Sequence, residues 1–392
     1  MGPAMALTLA ALASLLAWLV LAFARHGFWR TRERLAPAPA PAEWPEVAVL
    51  VPARNEAAQV GHVVAAHMAS TYPGRFTLIL VDDGSDDGTA EVARAAAAGG
   101  PRPFLLVPGR PLPPGWSGKL WALETARAAA AIHAPDARWL LLTDADIRHG
   151  PELLARLIAR AEAADLALLS VMARLDCRGL WGGLLIPAFL YFFAKLYPFA
   201  AVNDPGSRVA GAAGGVLLIR RPVLDAIGGF AALKGTLIDD CTLAARVKRG
   251  PPRRRVALVL ADGFAEATSL RDNRPLASVR DMVARTAFAQ LRHSRSLLVG
   301  TLAGLGLVYL VPPLLWLGWP IHHNATAALL AGLAWGLMTL TYLPMVRHCG
   351  LPRAVALGLP VAAAFYAGFT ALSALRHWRG VGGQWKGRTY PA

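Results

Sequence analysis

Residues 5–23 (MALTLAALASLLAWLVLAF) carry no charge, and Arg25, Arg30, Arg32 and Arg34 follow closely. At about 1.5 Å of rise per residue a helix of that length spans the hydrocarbon core of a bilayer. A secretion signal carries its positive charge ahead of the apolar stretch. The order here predicts a retained anchor over 1–24, with the chain after it in the cytoplasm. Three more apolar runs, 297–319, 325–346 and 354–375, are each long enough to cross. Arg347 and Arg353 separate the last two, and Arg376, Arg379, Lys386 and Arg388 follow them. Both basic stretches favour the cytoplasm, yet three crossings would leave the tail outside. One run within the membrane region 296–376 is then expected to be re-entrant, with the proline-interrupted 354–375 as the candidate and 377–392 as a basic tail.

Segment 180–200 is also apolar, aromatic, and charged only at Lys195. A crossing there would put the next β-like run on the wrong side of the membrane from its sheet. It reads as an interfacial helix with its rings at head-group level, the alternative being a buried core helix.

Composition sharpens the partner class. The chain is 55% hydrophobic with a formal net charge of +15. Its basic residues gather beside the apolar runs, as with Arg285, Arg292 and Arg295. No basic stripe interleaved with aromatics appears between the runs, so lipid head groups fit and nucleic acid does not. Cys177, Cys241 and Cys349 have neither metal spacing nor a disulfide framework and read as small apolar residues. His62 and His67 fall on different faces of one predicted helix and read as solvated or packed.

A Pro/Ala stretch, 37–45, is expected to be an extended, stiff linker spacing the globular part off the bilayer. From 46 to 295, β-like runs at 47–52, 76–82, 138–144, 166–171 and 215–220 alternate with helix-like segments at 56–70, 88–98 and 118–132. That alternation predicts an α/β domain with a mostly parallel sheet, whose ligands bind beyond the carboxyl ends of its strands.

Four motifs fall near such ends. In VLVPARNEA (49–57) Arg54, Asn55 and Glu56 lead from a strand into a helix, a loop suited to phosphate oxygens. In VDDGSDDGT (81–89) Asp82 and Asp83 close a strand; turn and cap chemistry accounts for one aspartate of the four. In LLTDADIRHG (141–150) alternate residues of extended chain bring Asp144 and Asp146 to one side. Two converging carboxylates call for a cation, and Mg²⁺ or Mn²⁺ completed by substrate phosphates fits. In GTLIDDCTLA (235–244) Asp239 and Asp240 begin a helix, where a cap explains one of them and a general base the other. The glycines of 211–221 either allow close approach to a ligand or mark a loop before a strand.

Together these motifs resemble the family 2 glycosyltransferases of GT-A fold. GWSGKLWAL (115–123), LIDDCTLA and WKGRTY (385–390) look like the hopanoid-associated glycosyltransferases of bacteria, with ceramide glucosyltransferase more distant. The resemblance implies that Pro52, Arg54, Glu56, Asp82, Asp83, Lys119 and Asp144 hold a nucleotide-sugar donor, with UDP as the nucleotide. It implies that Asp144 and Asp146 hold Mg²⁺ or Mn²⁺, and that Asp240, second of an Asp-Asp pair standing where the family has Glu-Asp, is the base. The family's Gln-x-x-Arg-Trp motif is degenerate at Gln290, one residue shorter in its spacing, with Arg292 for the arginine and His293 for the tryptophan at the acceptor side. The implied protein is a multi-pass enzyme of the bacterial inner membrane acting on a lipid acceptor. A processive polysaccharide synthase is the first alternative, disfavoured by the few spans and the altered tryptophan. A catalytically silent scaffold predicts lost acids, and all are present.

Overall fold

A computed structural model of the chain describes residues 2–236, 239–263 and 266–380, with the backbone of 384–385 and 388–389. Leu237 and Ile238 of the fourth motif, and Lys386, Gly387 and Tyr390 of the WKGRTY tail, lie outside the described residues. Nine strands concern the site: β1 Val47–Ala53, β2 Phe76–Asp82, β3 Phe104–Pro108, β4 Trp139–Thr143, β5 Ile147–His149, β6 Leu168–Met172, β7 Val216–Arg220, β8 Val256–Leu260 and β9 Ala267–Ser269. Seven form one sheet in the order β3-β2-β1-β4-β7-β6-β8, and β5 pairs with β9. Only β7 runs against its neighbours, so the sheet is mostly parallel, as the alternation predicts.

Every residue of β1, β4, β6 and β8 is buried. Burial on both faces is why these strands read as unbroken apolar runs. Side chains alternate between two cores. Ala48, Leu50, Leu140 and Leu142 face the helix Gly118–His133, while Val47, Val49, Val51 and Leu141 face the helices Ala57–Met68 and Leu153–Ala163. All three cysteines are free and buried. His62 is exposed and His67 buried, one solvated and one packed.

Among the described residues five helices are long and apolar enough to cross a membrane: Pro3–Ala24, Gly179–Leu196, Arg295–Leu317, Ala325–His348 and Arg353–Trp378. Pro3–Ala24 packs along Ala325–His348, where Asn324 donates to the Ala4 carbonyl and to Thr8 (2.8 and 3.0 Å). Among the described residues two helices carry a π-turn, at Val20–Ala24 and Gly306–Leu310. An indole serves each: Trp29 donates to the Ala22 carbonyl (2.9 Å) and Trp18 to that of Val308 (2.8 Å).

Both ends of Arg353–Trp378 return to the globular domain's side. A Cβ on Gly358 would meet Leu184 at 3.2 Å, and Tyr366 donates to the Leu185 carbonyl (2.9 Å). At the far end Ser373 accepts from the Phe288 amide (3.0 Å) and Arg376 bridges Asp281 (2.8 Å). The end of Ala325–His348 lies there too, His348 standing 3.2 Å from Arg174. Rings on Gly179–Leu196 turn inward: Tyr191 is fully buried against Tyr342 and bonds Thr341 (2.8 Å).

The stretch between anchor and sheet is docked at both ends. Glu33 accepts from the Leu260 amide (2.8 Å), Arg156 takes the Leu35 carbonyl (2.6 Å), and Tyr72 donates to Pro45 (2.6 Å). It runs across the domain and does not stand free of it.

The segment 199–213, which leads into β7, is seated by Lys248. This buried ammonium donates to the carbonyls of Ala201, Val202 and Val209 at 3.0, 2.6 and 2.8 Å. Lys248→Met removes all three donors and should cost about 3 kcal/mol of stability, read as a lowered unfolding midpoint in detergent.

Candidate active site

Two loops at the carboxyl ends of β1 and β2 are laced into one surface. Arg54 donates to the carbonyls of Asp83 and Gly84. Asn55 takes the Ser85 hydroxyl with its amide (3.0 Å) and accepts from the Asp86 amide with its side chain (3.1 Å). Asp82 accepts from the Ser85 amide (3.1 Å), and Asp87 from the amides of Ala57 and Thr89 (3.0 and 3.1 Å). Local turn chemistry therefore occupies two of the four aspartates in VDDGSDDGT, one more than the sequence reading allowed. Asp83 is buried, and a Cβ on Gly109 would lie 2.8 Å from its Cα. Gly109 is thus a close-approach position that no motif marked.

At the end of β4, Asp144 leaves the strand and Ala145 and Asp146 form a turn closed by the Ile147 amide on the Asp144 carbonyl (3.1 Å). Both carboxylates reach one cavity, but a turn brings them there, and alternation along extended chain does not. Lys119, in the first turn of Gly118–His133, sits with its ammonium 2.6 Å from Asp144. Ser117 caps that helix by accepting from the Leu120 amide (3.3 Å). Burial opposes the charge on Lys119, yet Asp144, Asp239 and Asp240 together hold its pKa well above the usual lysine value. Beneath the turn, His149 contacts Thr143 at 2.9 Å and packs on His67, ring centroids 4.6 Å apart. Burial pushes His67 down to about 4, so this support is neutral at physiological pH.

Asp239 and Asp240 open the helix Asp239–Arg249. Asp240 accepts from the Cys241 amide (2.7 Å) and from the Gly214 amide across the site (2.8 Å). Burial, and then the charge of Asp239, push its carboxyl up to about 6 against the pull of Lys119. The glycines before β7 resolve toward close approach: a Cβ on Gly214 would lie 3.2 Å from the Asp240 carboxylate and 3.4 Å from the Lys119 ammonium.

A cavity of about 1170 Å³ gathers Pro52, Glu56, Lys119, Asp144, Asp146, Asp239 and Asp240. Arg54, Asp82 and Asp83 build the loops around it and are not in its lining. The same cavity continues between apolar helices, past Phe189, Phe192, Leu305, Tyr366 and Thr370. Arg271 and Arg285 line it as well, and sequence reasoning gave neither a site role; Arg271 follows a three-residue strand and belongs to no motif. Arg292 and His293 lie outside it, in a turn where both have positive φ and His293 stacks on His377 (4.1 Å).

Among the described residues no group of three His, Cys, Asp or Glu side chains could hold a metal alone. Asp144 and Asp146 offer hard oxygen donors to the same space, and a lysine ammonium lies against one of them. That donor set fits a divalent ion whose remaining ligands are substrate oxygens and water.

A mostly parallel sheet with acidic strand ends opening on one cavity is the architecture of a nucleotide-sugar transferase. Residues 45–286 match the family model described as glycosyltransferase like family 2, and the chain belongs to that family: it is a glycosyltransferase. No curated protein matches the sequence. Among solved structures it is similar to the mannosyltransferase PcManGT from Pyrobaculum calidifontis, in complex with GDP-Man and Mn²⁺. The two are 20% identical with a TM-score of 0.56, over 92% of this chain and 99% of that one. The likeness to glucosyl-3-phosphoglycerate synthase from Mycobacterium tuberculosis, with Mn²⁺ and UDP-glucose, is looser: 21% identity and a TM-score of 0.38, over 63% of this chain and 79% of that one. The first shares the GT-A fold.

Gly214→Ala forces a methyl group between Asp240 and Lys119. Turnover should fall by about tenfold or more, with an unfolding midpoint near wild type.

Proposed function

We propose that this glycosyltransferase is membrane-bound and inverting, and that it moves a sugar from a nucleoside-diphosphate donor, a UDP-sugar, to the hydroxyl of a lipid. The observation that carries the reading is the single cavity that joins the acidic strand ends to an apolar chamber between helices. A water-soluble acceptor has no use for that chamber. The resemblance noted in the sequence favours a polycyclic or polyisoprenoid alcohol, with a role in hopanoid biosynthesis in the bacterial inner membrane.

Three helices cross in this reading: Pro3–Ala24, Arg295–Leu317 and Ala325–His348. Gly179–Leu196 and Arg353–Trp378 lie in the interface, because both ends of the latter are tied to the domain. Arg347, Arg353, Arg376 and Arg379 then share the cytoplasmic side with the catalytic domain, while the far loop 318–324 has no Lys or Arg. That satisfies the charge bias of membrane topology and gives run 354–375 the returning course that the charges demand.

In the reaction Asp240 takes the proton of the acceptor hydroxyl. The freed oxygen attacks the anomeric carbon from the face opposite the diphosphate, whose C–O bond breaks with its electron pair, so configuration inverts. Lys119 offsets charge developing on the leaving diphosphate. Asp144 and Asp146 would hold Mg²⁺ or Mn²⁺, which supplies further charge neutralisation there. The 2.8 Å bond from Gly214 fixes one oxygen of Asp240.

The test is turnover of UDP-sugars by the full chain in lipid nanodiscs with bacterial lipid extract. Metal-dependent release of UDP with a labelled lipid is expected, and Asp240→Asn should abolish transfer while donor binding persists. Transfer to a soluble acceptor in place of lipid, or an active Asp240→Asn, would overturn the reading.

Because the base must be ionised, activity should rise with pH through about 6 and level off above it. A pH–rate profile of kcat/KM checks this, and a flat profile from pH 5 to pH 8 would count against Asp240 as the base.

A further inference from the structure

The apolar end of the cavity holds a charge that the transfer reaction does not use. Lys195, near the end of Gly179–Leu196, lines it. An ammonium has three donors, and among the described residues that of Lys195 makes one hydrogen bond, to the Tyr309 hydroxyl at 2.9 Å. Its other neighbours are ring faces, with Tyr309 and Phe192 centroids 4.9 and 5.1 Å away. The next cation is Arg25, whose guanidinium donates to the Lys195 carbonyl at 3.2 and 3.1 Å. Among the described residues neither cation is paired with a carboxylate. Asp281, the acid on the neighbouring helix, is already bridged by Arg280 and Arg376 (3.0 and 2.8 Å).

The arrangement is rigid. Tyr309 lies in the π-turn and is buried edge-on to Trp18, whose indole holds the adjacent Val308 carbonyl. π-turns of this kind gather at functional positions. Two unpaired cations beside apolar surface are costly unless an anion joins them. Arg25 comes directly after the helix Pro3–Ala24, which puts the pair at head-group depth when that helix spans. An anion bearing apolar chains satisfies both the cations and the walls formed by Phe189, Phe193 and Leu305.

We propose that Lys195, backed by Arg25, binds the phosphate of a membrane phospholipid at the bilayer-side end of the cavity. The proposal rests on the membrane reading above and is independent of which sugar moves.

Native mass spectrometry of the full chain in detergent tests it, with phosphatidylglycerol or diacylglycerol of the same acyl chains as probes. Wild type should retain phosphatidylglycerol about tenfold better. Lys195→Met should reduce that to the diacylglycerol level, and Lys195→Arg should restore it. Should Lys195→Met fail to fold, Arg25→Gln serves in its place, with retention expected to fall several-fold. Equal retention of the two lipids, or undiminished retention in the charge-removing variant, would sink the proposal. Displacement of phosphatidylglycerol by inorganic phosphate would make this a site for a free anion, which also overturns it. UDP-sugar turnover in nanodiscs, followed in parallel, separates the two readings. Lost transfer with phospholipid retained counts against the function alone, and transfer without retention against this site alone.

Discussion

Carboxylates of Asp144, Asp239 and Asp240 crowd the end of β4, and the ammonium of Lys119 is the cation that lets them share it. Without a positive charge between them, mutual repulsion would either protonate one acid or push the loops apart. Much of the fold serves to deliver that one nitrogen. The helix Gly118–His133 packs on β1 and β2, which fixes where its first turn ends, and Ser117 caps it so that Lys119 projects from a defined point. On the opposite wall Gly214 has no side chain, so backbone and not methyl faces the ammonium. In the proposed reaction the arrangement would undergo a change of ions, since a diphosphate with its metal would bring both negative charge for Lys119 to meet and positive charge for the acids to hold.

Much of this was readable in advance, for physical reasons. Strands buried on both faces are continuous apolar runs, and five of the seven sheet strands stood out on that ground. β3 and β8 did not, because prolines bracket FLLVP and three arginines precede VALVL, and both settings read as loop. The acids of the site were legible because single caps and turns cannot use so many carboxylates at once. How they converge was not: Asp144 and Asp146 meet through a turn whose closing bond, from Ile147, has no signature in composition. Arg271 and Arg285 were invisible as site residues because their placement depends on how β9 and the helix Leu276–Gln290 dock, which is a long-range property. The tyrosines and phenylalanines of Gly179–Leu196 suggested a girdle facing head groups; Tyr191 and Phe192 instead interlock with neighbouring helices, where edge-on ring packing replaces lipid contact.

The π-turns have a comparable history. Each adds a residue to a helical turn and frees a carbonyl, and each freed carbonyl here finds an indole from elsewhere in the chain. Nothing local in VLAFA or GLVYL announces this. Such turns persist only when a partner satisfies the opened ladder, and Trp18 and Trp29 are those partners.

Under the proposed membrane-bound reading, the docked course of residues 33–45 has a consequence for which lipid acceptors can be used. A loose tether would let the domain bob and tilt over the bilayer, sampling hydroxyl groups at many heights. With Glu33, Leu35 and Pro45 each pinned to the domain, and Arg25 pinned to the end of Gly179–Leu196, the proposed membrane placement would hold the Asp240 carboxylate at one elevation. In the proposed lipid transfer, Asp240 as base would act as a depth gauge. It would select acceptors by how far the reactive hydroxyl stands from the acyl region, and a head group one bond too short would be as poor a substrate as one with the wrong chemistry.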